Sequence, residues 1–197
     1  MYTKTVLLNI ITLKEFDFDK KINLFHFAYH LRFVFFFRTL LDKGKMLEIA
    51  KNLSYMLRTK NTTLRYIIYY TLEMLITLKS IPDGSIGIYP HAFNKQIIAP
   101  VIPYILENVY NCVKSDPNKI DGYSARCILA IITMMEETAA NYIQAFIALF
   151  KILIAGILSG YEFSTIHTTF EALSLLFIAA KVSLFQQNDV IKYIFSL

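Results

Sequence analysis

Apolar residues recur along most of the chain at the spacing of three and four residues that marks an amphipathic helix. One such stripe runs from Lys43 to Leu57. A second runs from Asn61 to Leu78, with Asn61 or Thr62 as its N-cap. Alternation at period two, the pattern of a half-buried strand, is rare. The pattern therefore predicts an all-α fold.

Glycine and proline divide the rest of the chain. Lys79–Pro90 is rich in both residues and reads as a loop. The helix predicted for Asn94–Val113 contains Pro100 and Pro103, so we expect a kink or a late start there. The further predicted helices are Asp121 or Ser124 to Met135, Thr138 to Leu158, Ser164 to Ser183, and one that begins at Asn188 or Asp189.

These helices alternate in a way that is typical of stacked helical hairpins. Leading helices would begin near Lys43, Asn94, Thr138 and Asn188, at spacings of about 44 to 51 residues, and HEAT repeats measure roughly 40–47. Following helices would begin near Asn61, Asp121 and Ser164. We therefore expect an α-solenoid of about three to four HEAT-type antiparallel helix pairs over residues 24–197. Residues 24–37 would be the trailing helix of an incomplete first pair, and residues 1–23 stay unassigned.

Composition raises a membrane protein as the alternative, because 55% of the residues are apolar and only 18% are charged. The best candidate span is Thr138–Tyr161, but Lys151 lies near its middle. A lysine at the bilayer centre costs about 2.5–3.5 kcal/mol on insertion scales. We therefore expect the apolar faces to be covered by neighbouring hairpins, without membrane insertion. A small polytopic membrane protein is the less favoured reading. Cys112 and Cys127 fit small core residues in a reducing compartment.

The sequence contains only weak candidates for a metal site, a phosphate-binding loop or a catalytic triad. His26 and His30 would share a helix face, but no further ligand follows at metal spacing. Gly84–Gly87 lacks the lysine of a phosphate loop. Ser164, His167 and Glu171 share one helix, whereas a hydrolytic triad converges on a nucleophile at a strained turn. The sequence thus predicts a non-enzyme without catalytic residues, metal or cofactor.

Binding to proteins is the function that remains. The net charge of +5 gives no strong indication of nucleic acid. One cluster of cations is either a solvated face or a surface for an acidic partner. It comprises Lys43, Lys45, Lys51, Arg58, Lys60 and Arg65.

The second helix of each hairpin in a HEAT stack usually lines the concave face where partners bind. Polar and aromatic positions on these helices are therefore the predicted protein-binding residues, because tyrosine and arginine combine apolar area with directed hydrogen bonds. They are expected to be exposed. They are Arg65, Tyr66, Tyr69, Glu73, Tyr123, Arg126, His167 and Glu171.

The order of segments resembles one family. The similar blocks begin with Ile98–Leu106 (IAPVIPYIL) and Gly122–Glu137 (GYSARCILAIITMMEE). They continue with Tyr142–Phe150, His167–Leu175 and Asn188–Phe195, and Lys45–Leu78 resembles the preceding pair, including a basic turn at Arg58–Asn61. In pattern and order, over residues 24–197, the chain is similar to the importin-alpha re-exporter family, exportin-2 or CAS, of the karyopherin-beta group.

This resemblance implies nucleocytoplasmic transport. Such exportins wrap importin-alpha together with Ran-GTP and carry both from the nucleus to the cytoplasm. The family is several times longer than this chain, so the resemblance implies a middle-to-C-terminal segment of a transport receptor. It carries over no single binding residue. Another HEAT or armadillo-type scaffold is the alternative that the same pattern permits.

Overall fold

A computed structural model describes residues 29, 31–34, 36, 41–77, 95–115, 122–157 and 163–180. These residues lie in helices or in the short connections between them, and none of them lies in a β-strand. The predicted all-α class is therefore confirmed. The chain divides into two compact units, Met1–Cys112 and Val113–Leu197.

The first unit contains a helical hairpin that follows the two predicted apolar stripes. Helix α1 spans Lys43–Met56 and α2 spans Thr62–Ile76, and the two pack together. Asp42 caps α1, since its carboxylate accepts a hydrogen bond from the Lys45 N–H at 2.8 Å. Asn61 caps α2 in the same way through the Leu64 N–H at 3.0 Å. The short connection Leu57–Asn61 thus ends one helix and starts the next.

Proline breaks the next helix of the first unit, as predicted. Helix α3 is a single turn, Lys95–Ile98, and α4 spans Ile102–Ser115. Pro100 cannot donate a backbone hydrogen bond and lies in the turn between them, while Pro103 lies in the first turn of α4, where a missing N–H costs least. The Ile105 N–H bonds to the Val101 carbonyl and so starts α4.

The second unit opens with α5, Gly122–Met135, followed without a gap by a 3-10 helix, Glu136–Tyr142, and by α6, Ile143–Ile157. Glu136 adopts φ 50°, in the left-handed region, and this residue ends α5. An α-helix starting near Thr138 was predicted. The α-helix starts at Ile143 instead, because Glu136–Tyr142 form a 3-10 helix, which is wound more tightly than an α-helix.

Helix α7, Phe163–Ala180, packs against α5, α6 and the 3-10 helix. One apolar cluster consists of Ile143, Ile147 and Ala180, with Ala140 and Phe177 packed around it. Phe146, Leu149 and Leu153 of α6 are fully buried. The apolar stripe of α6 is therefore covered by protein within this unit.

One helical stretch in the described part of the chain is long and apolar enough to cross a membrane. It is Gly122–Gly156, with 35 residues and a mean hydropathy of 1.5 in its scored window, of which 50% is buried. Glu136 and the 3-10 helix divide this stretch into two α-helices. The core helix of a soluble protein passes the same test of length and composition.

Several predictions fall on other residues. Residues 1–23, His26, His30, the loop at Lys79–Pro90 and the helix expected from Asn188 lie outside the described residues, and residues 24–37 are described only in part.

Candidate functional site

A buried polar network joins α1 to α4 in the first unit. The Asn108 side chain is at its centre, only 5% exposed. Its amide nitrogen donates to Ser54 Oγ at 3.3 Å and to the Tyr104 carbonyl at 2.8 Å. The Ser54 hydroxyl, fully buried, donates in turn to the Lys51 carbonyl at 2.7 Å. Both side chains are thereby fixed in place.

The same asparagine holds a cation at the surface. Asn108 Oδ1 accepts a hydrogen bond from Arg58 Nε at 3.1 Å. The guanidinium carbon of Arg58 also lies 4.3 Å from the centre of the Tyr55 ring, a distance typical of a cation–π contact. Arg58 itself is exposed. An exposed arginine is therefore held by two neutral groups.

A second cation lies over a second tyrosine beside this network. Lys51 Nζ lies 4.1 Å from the centre of the Tyr104 ring. Tyr55 and Tyr104 remain 42% and 46% exposed. We call Lys51, Tyr55, Arg58 and Tyr104 the cationic tyrosine face.

The predicted binding residues of α2 divide into two groups. Tyr66 is exposed and stacks with Tyr70 at a centroid distance of 6.4 Å, while Glu73 is half-buried. The expectation that Arg65 and Tyr69 are exposed is wrong, since they are only 7% and 2% exposed.

The burial of Arg65 follows from its neighbour in the fold. Arg65 Nη1 reaches Cys112 Sγ of α4 at 3.8 Å. This contact places Cys112 of α4 beside the buried Arg65, and the buried face of α2 is wider than its aliphatic stripe. A residue at the edge of an apolar stripe cannot be assigned to the surface until the covering helix is known.

In the second unit the predicted residues are accessible. Arg126 is exposed, and its guanidinium lies 5.9 Å from the ring centre of the half-buried Tyr123. His167 and Glu171, on successive turns of α7, are both exposed, with Nδ1 and Oε2 4.0 Å apart. Three of these four side chains are exposed and Tyr123 is half-buried, and their role in binding stays a prediction.

Tyr55, Tyr104 and Asn108 were missed at the sequence level, whereas Lys51 and Arg58 were included in the cationic cluster. The four-residue spacing of Lys51 and Tyr55 places them on one side of α1, and this was the available signal. Arg58 lies in the connection after this helix. The contact between α1 and α4 could not be predicted from the sequence, because Ser54 and Asn108 are 54 positions apart.

The described residues contain no group of three or more histidine, cysteine, aspartate or glutamate side chains that could hold a metal ion. Cys112 and Cys127 are buried thiols, one in each unit. The chemistry that the described surface offers is charge, aromatic area and hydrogen bonding.

No protein-family model matches the sequence, and no curated protein or solved structure is significantly similar to it.

Proposed function

We propose that this chain is a segment of a HEAT-type α-solenoid that works by binding other proteins, without catalysis. By its resemblance to the importin-alpha re-exporters, its partners are importin-alpha and Ran-GTP, and it acts between nucleus and cytoplasm. The solenoid covers residues 24–197 in this proposal.

The packing of α7 is the observation that carries the proposal. Helix α7 packs against α6, its predicted hairpin partner, and also against α5, the trailing helix of the preceding predicted pair. In a solenoid each hairpin covers the apolar face of the one before it. In the first unit, α1 packs against its predicted hairpin partner α2, as α7 does against α6 in the second unit.

The proposed binding residues are those of the trailing helices that are exposed or half-buried, taken in each unit by itself. The set is Tyr66 and Glu73 on α2 in the first unit, and Tyr123 and Arg126 on α5 with His167 and Glu171 on α7 in the second. Arg65 and Tyr69 are not part of it, because a buried side chain contacts no partner without unfolding its surroundings.

The test is capture of the purified chain on immobilised importin-alpha, with and without Ran loaded with GTP. We expect retention that increases with Ran-GTP. Arg126→Glu should lower it about fivefold or more if Arg126 is a binding hot spot. Lys151→Glu is the matched control, since Lys151 is exposed on the leading helix α6 and carries the same charge change. Absence of capture by wild type under both conditions would contradict the exportin assignment and leave another HEAT or armadillo-type scaffold.

A membrane protein is the second candidate, and the hydropathy of Gly122–Gly156 favours it. Against it, Glu136, Glu137 and Lys151 are exposed along this stretch. Lysine costs about 2.5–3.5 kcal/mol at the bilayer centre. Alkaline carbonate extraction of expressing cells separates the two functions. A solenoid enters the supernatant, and an integral membrane protein stays in the pellet.

A further inference from the structure

We propose that the cationic tyrosine face, Lys51, Tyr55, Arg58 and Tyr104, binds a short acidic segment of a partner protein. The inference rests on the proposed function in one respect, namely that the chain binds proteins. It does not depend on the partner being importin-alpha. The face lies on α1, on α4 and on the connection Leu57–Asn61, outside the trailing-helix residues.

Arg58 is prepared for an anion by its surroundings. Of the five guanidinium donors, Nε–H is used by Asn108, which leaves the Nη groups to supply a bidentate contact. Asn108 is itself held by Ser54 and by the Tyr104 carbonyl. The cation–π contact with Tyr55 also restricts the position of the guanidinium. A side chain held in this way loses less conformational freedom on binding.

Among the described residues, no anion neutralises the charge of Arg58. Within the described part of the chain, its partners are the Asn108 amide and the Tyr55 ring, and neither is an anion. Lys51 lies over the other exposed tyrosine of the face. A carboxylate that docks between the two cations would meet complementary charge and two exposed aromatic surfaces.

The number and setting of the charges favour an acidic peptide over nucleic acid. Nucleic-acid affinity depends on the number of phosphates that lysine and arginine neutralise, and this face offers only two cations. Glu48 on α1 and Glu107 on α4 are also exposed, and each is one helical turn from a member of the face. These carboxylates repel a continuous polyanion. A short segment with one or two carboxylates can contact the cations between them.

Fluorescence anisotropy with the full-length chain tests the proposal. The probe is a fluorescein-labelled twelve-residue peptide of serine and glycine with two glutamates near its middle, and its matched control carries glutamine for glutamate. We expect the glutamate peptide to bind more tightly, and its affinity to fall as salt screens the charges. Arg58→Gln should weaken binding about fivefold or more. Arg58→Lys should weaken it less, since lysine keeps the charge and loses the planar fork.

Lys151→Gln is the charge-matched control, because Lys151 is an exposed cation on α6 in the other unit and lies outside the proposed binding residues. It should leave binding of the glutamate peptide unchanged. Tyr104→Leu, at an exposed position, tests the face without removing a charge or a network side chain, and should also weaken binding. Circular dichroism melts establish that each variant is folded.

Three results would overturn the proposal. They are equal binding of the glutamate and glutamine peptides, equal losses for Arg58→Gln and Lys151→Gln, and tighter binding of a labelled oligouridine than of the glutamate peptide. Failure of importin-alpha capture leaves this assay intact, so the two proposals fail separately.

Discussion

Removal of the Asn108 side chain should destabilise the first unit more than its small size suggests. Asn108→Ala deletes three hydrogen bonds at once, two donated to Ser54 and to the Tyr104 carbonyl and one accepted from Arg58. It also deprives Ser54 Oγ, which is fully buried, of its donor.

The magnitude can be worked bond by bond. A neutral intramolecular hydrogen bond contributes about 0.5–1.5 kcal/mol, and one to a charged group about 1.5–3 kcal/mol. The hydrogen bond to Arg58 contributes less than this to the free energy of unfolding, because the exposed arginine can bond to water once the Asn108 side chain is removed. Alanine, in turn, is a better helix former than asparagine by several tenths of a kcal/mol. The expected loss is about 2–3 kcal/mol in the free energy of unfolding.

Urea denaturation followed by circular dichroism measures this loss. Asn111→Ala is the control, since Asn111 is an exposed asparagine on the same helix with no hydrogen bond or ion pair to the described residues. It should change the free energy of unfolding by less than about 0.5 kcal/mol. Equal stability of the two variants at an unchanged m-value would refute the network between α1 and α4.

Three further predictions concern local packing and caps. Phe146→Ala, at a fully buried position, should cost about 3–5 kcal/mol, whereas Phe170→Ala at an exposed position should cost less than about 0.5 kcal/mol, both from urea midpoints. Asn61→Ala removes the cap of α2 and should cost about 1 kcal/mol in the same measurement. Glu136→Gly should be neutral or stabilising, because glycine tolerates φ 50° freely, whereas Glu137→Gly should cost about 1 kcal/mol of thermal stability. The opposite order of the two glycine variants would contradict the left-handed turn.

Local features of the fold could be predicted from the sequence because their causes are local. The N-cap at Asn61 depends on contacts within one helical turn. The break around Pro100 depends on the missing N–H of proline itself. Helix existence and approximate bounds followed from such signals together with the apolar stripes.

Features that depend on distant neighbours could not be predicted. Arg65 is buried because α4 lies beside it, and no pattern within α2 contains that information. The 3-10 winding after Glu136 was also missed, because no glycine or proline marks the turn and the two glutamates resemble the acidic first turn of an α-helix. The cationic tyrosine face depends on the register between α1 and α4, which only the folded chain supplies.

Hydrogen exchange of the full chain in detergent-free buffer tests most directly whether protein covers the apolar helix faces. If α7 covers α5 and α6, the amides of these three helices should be protected and should open together with one free energy. Independent opening of α7, or a chain that is folded only in detergent or lipid, would contradict the account.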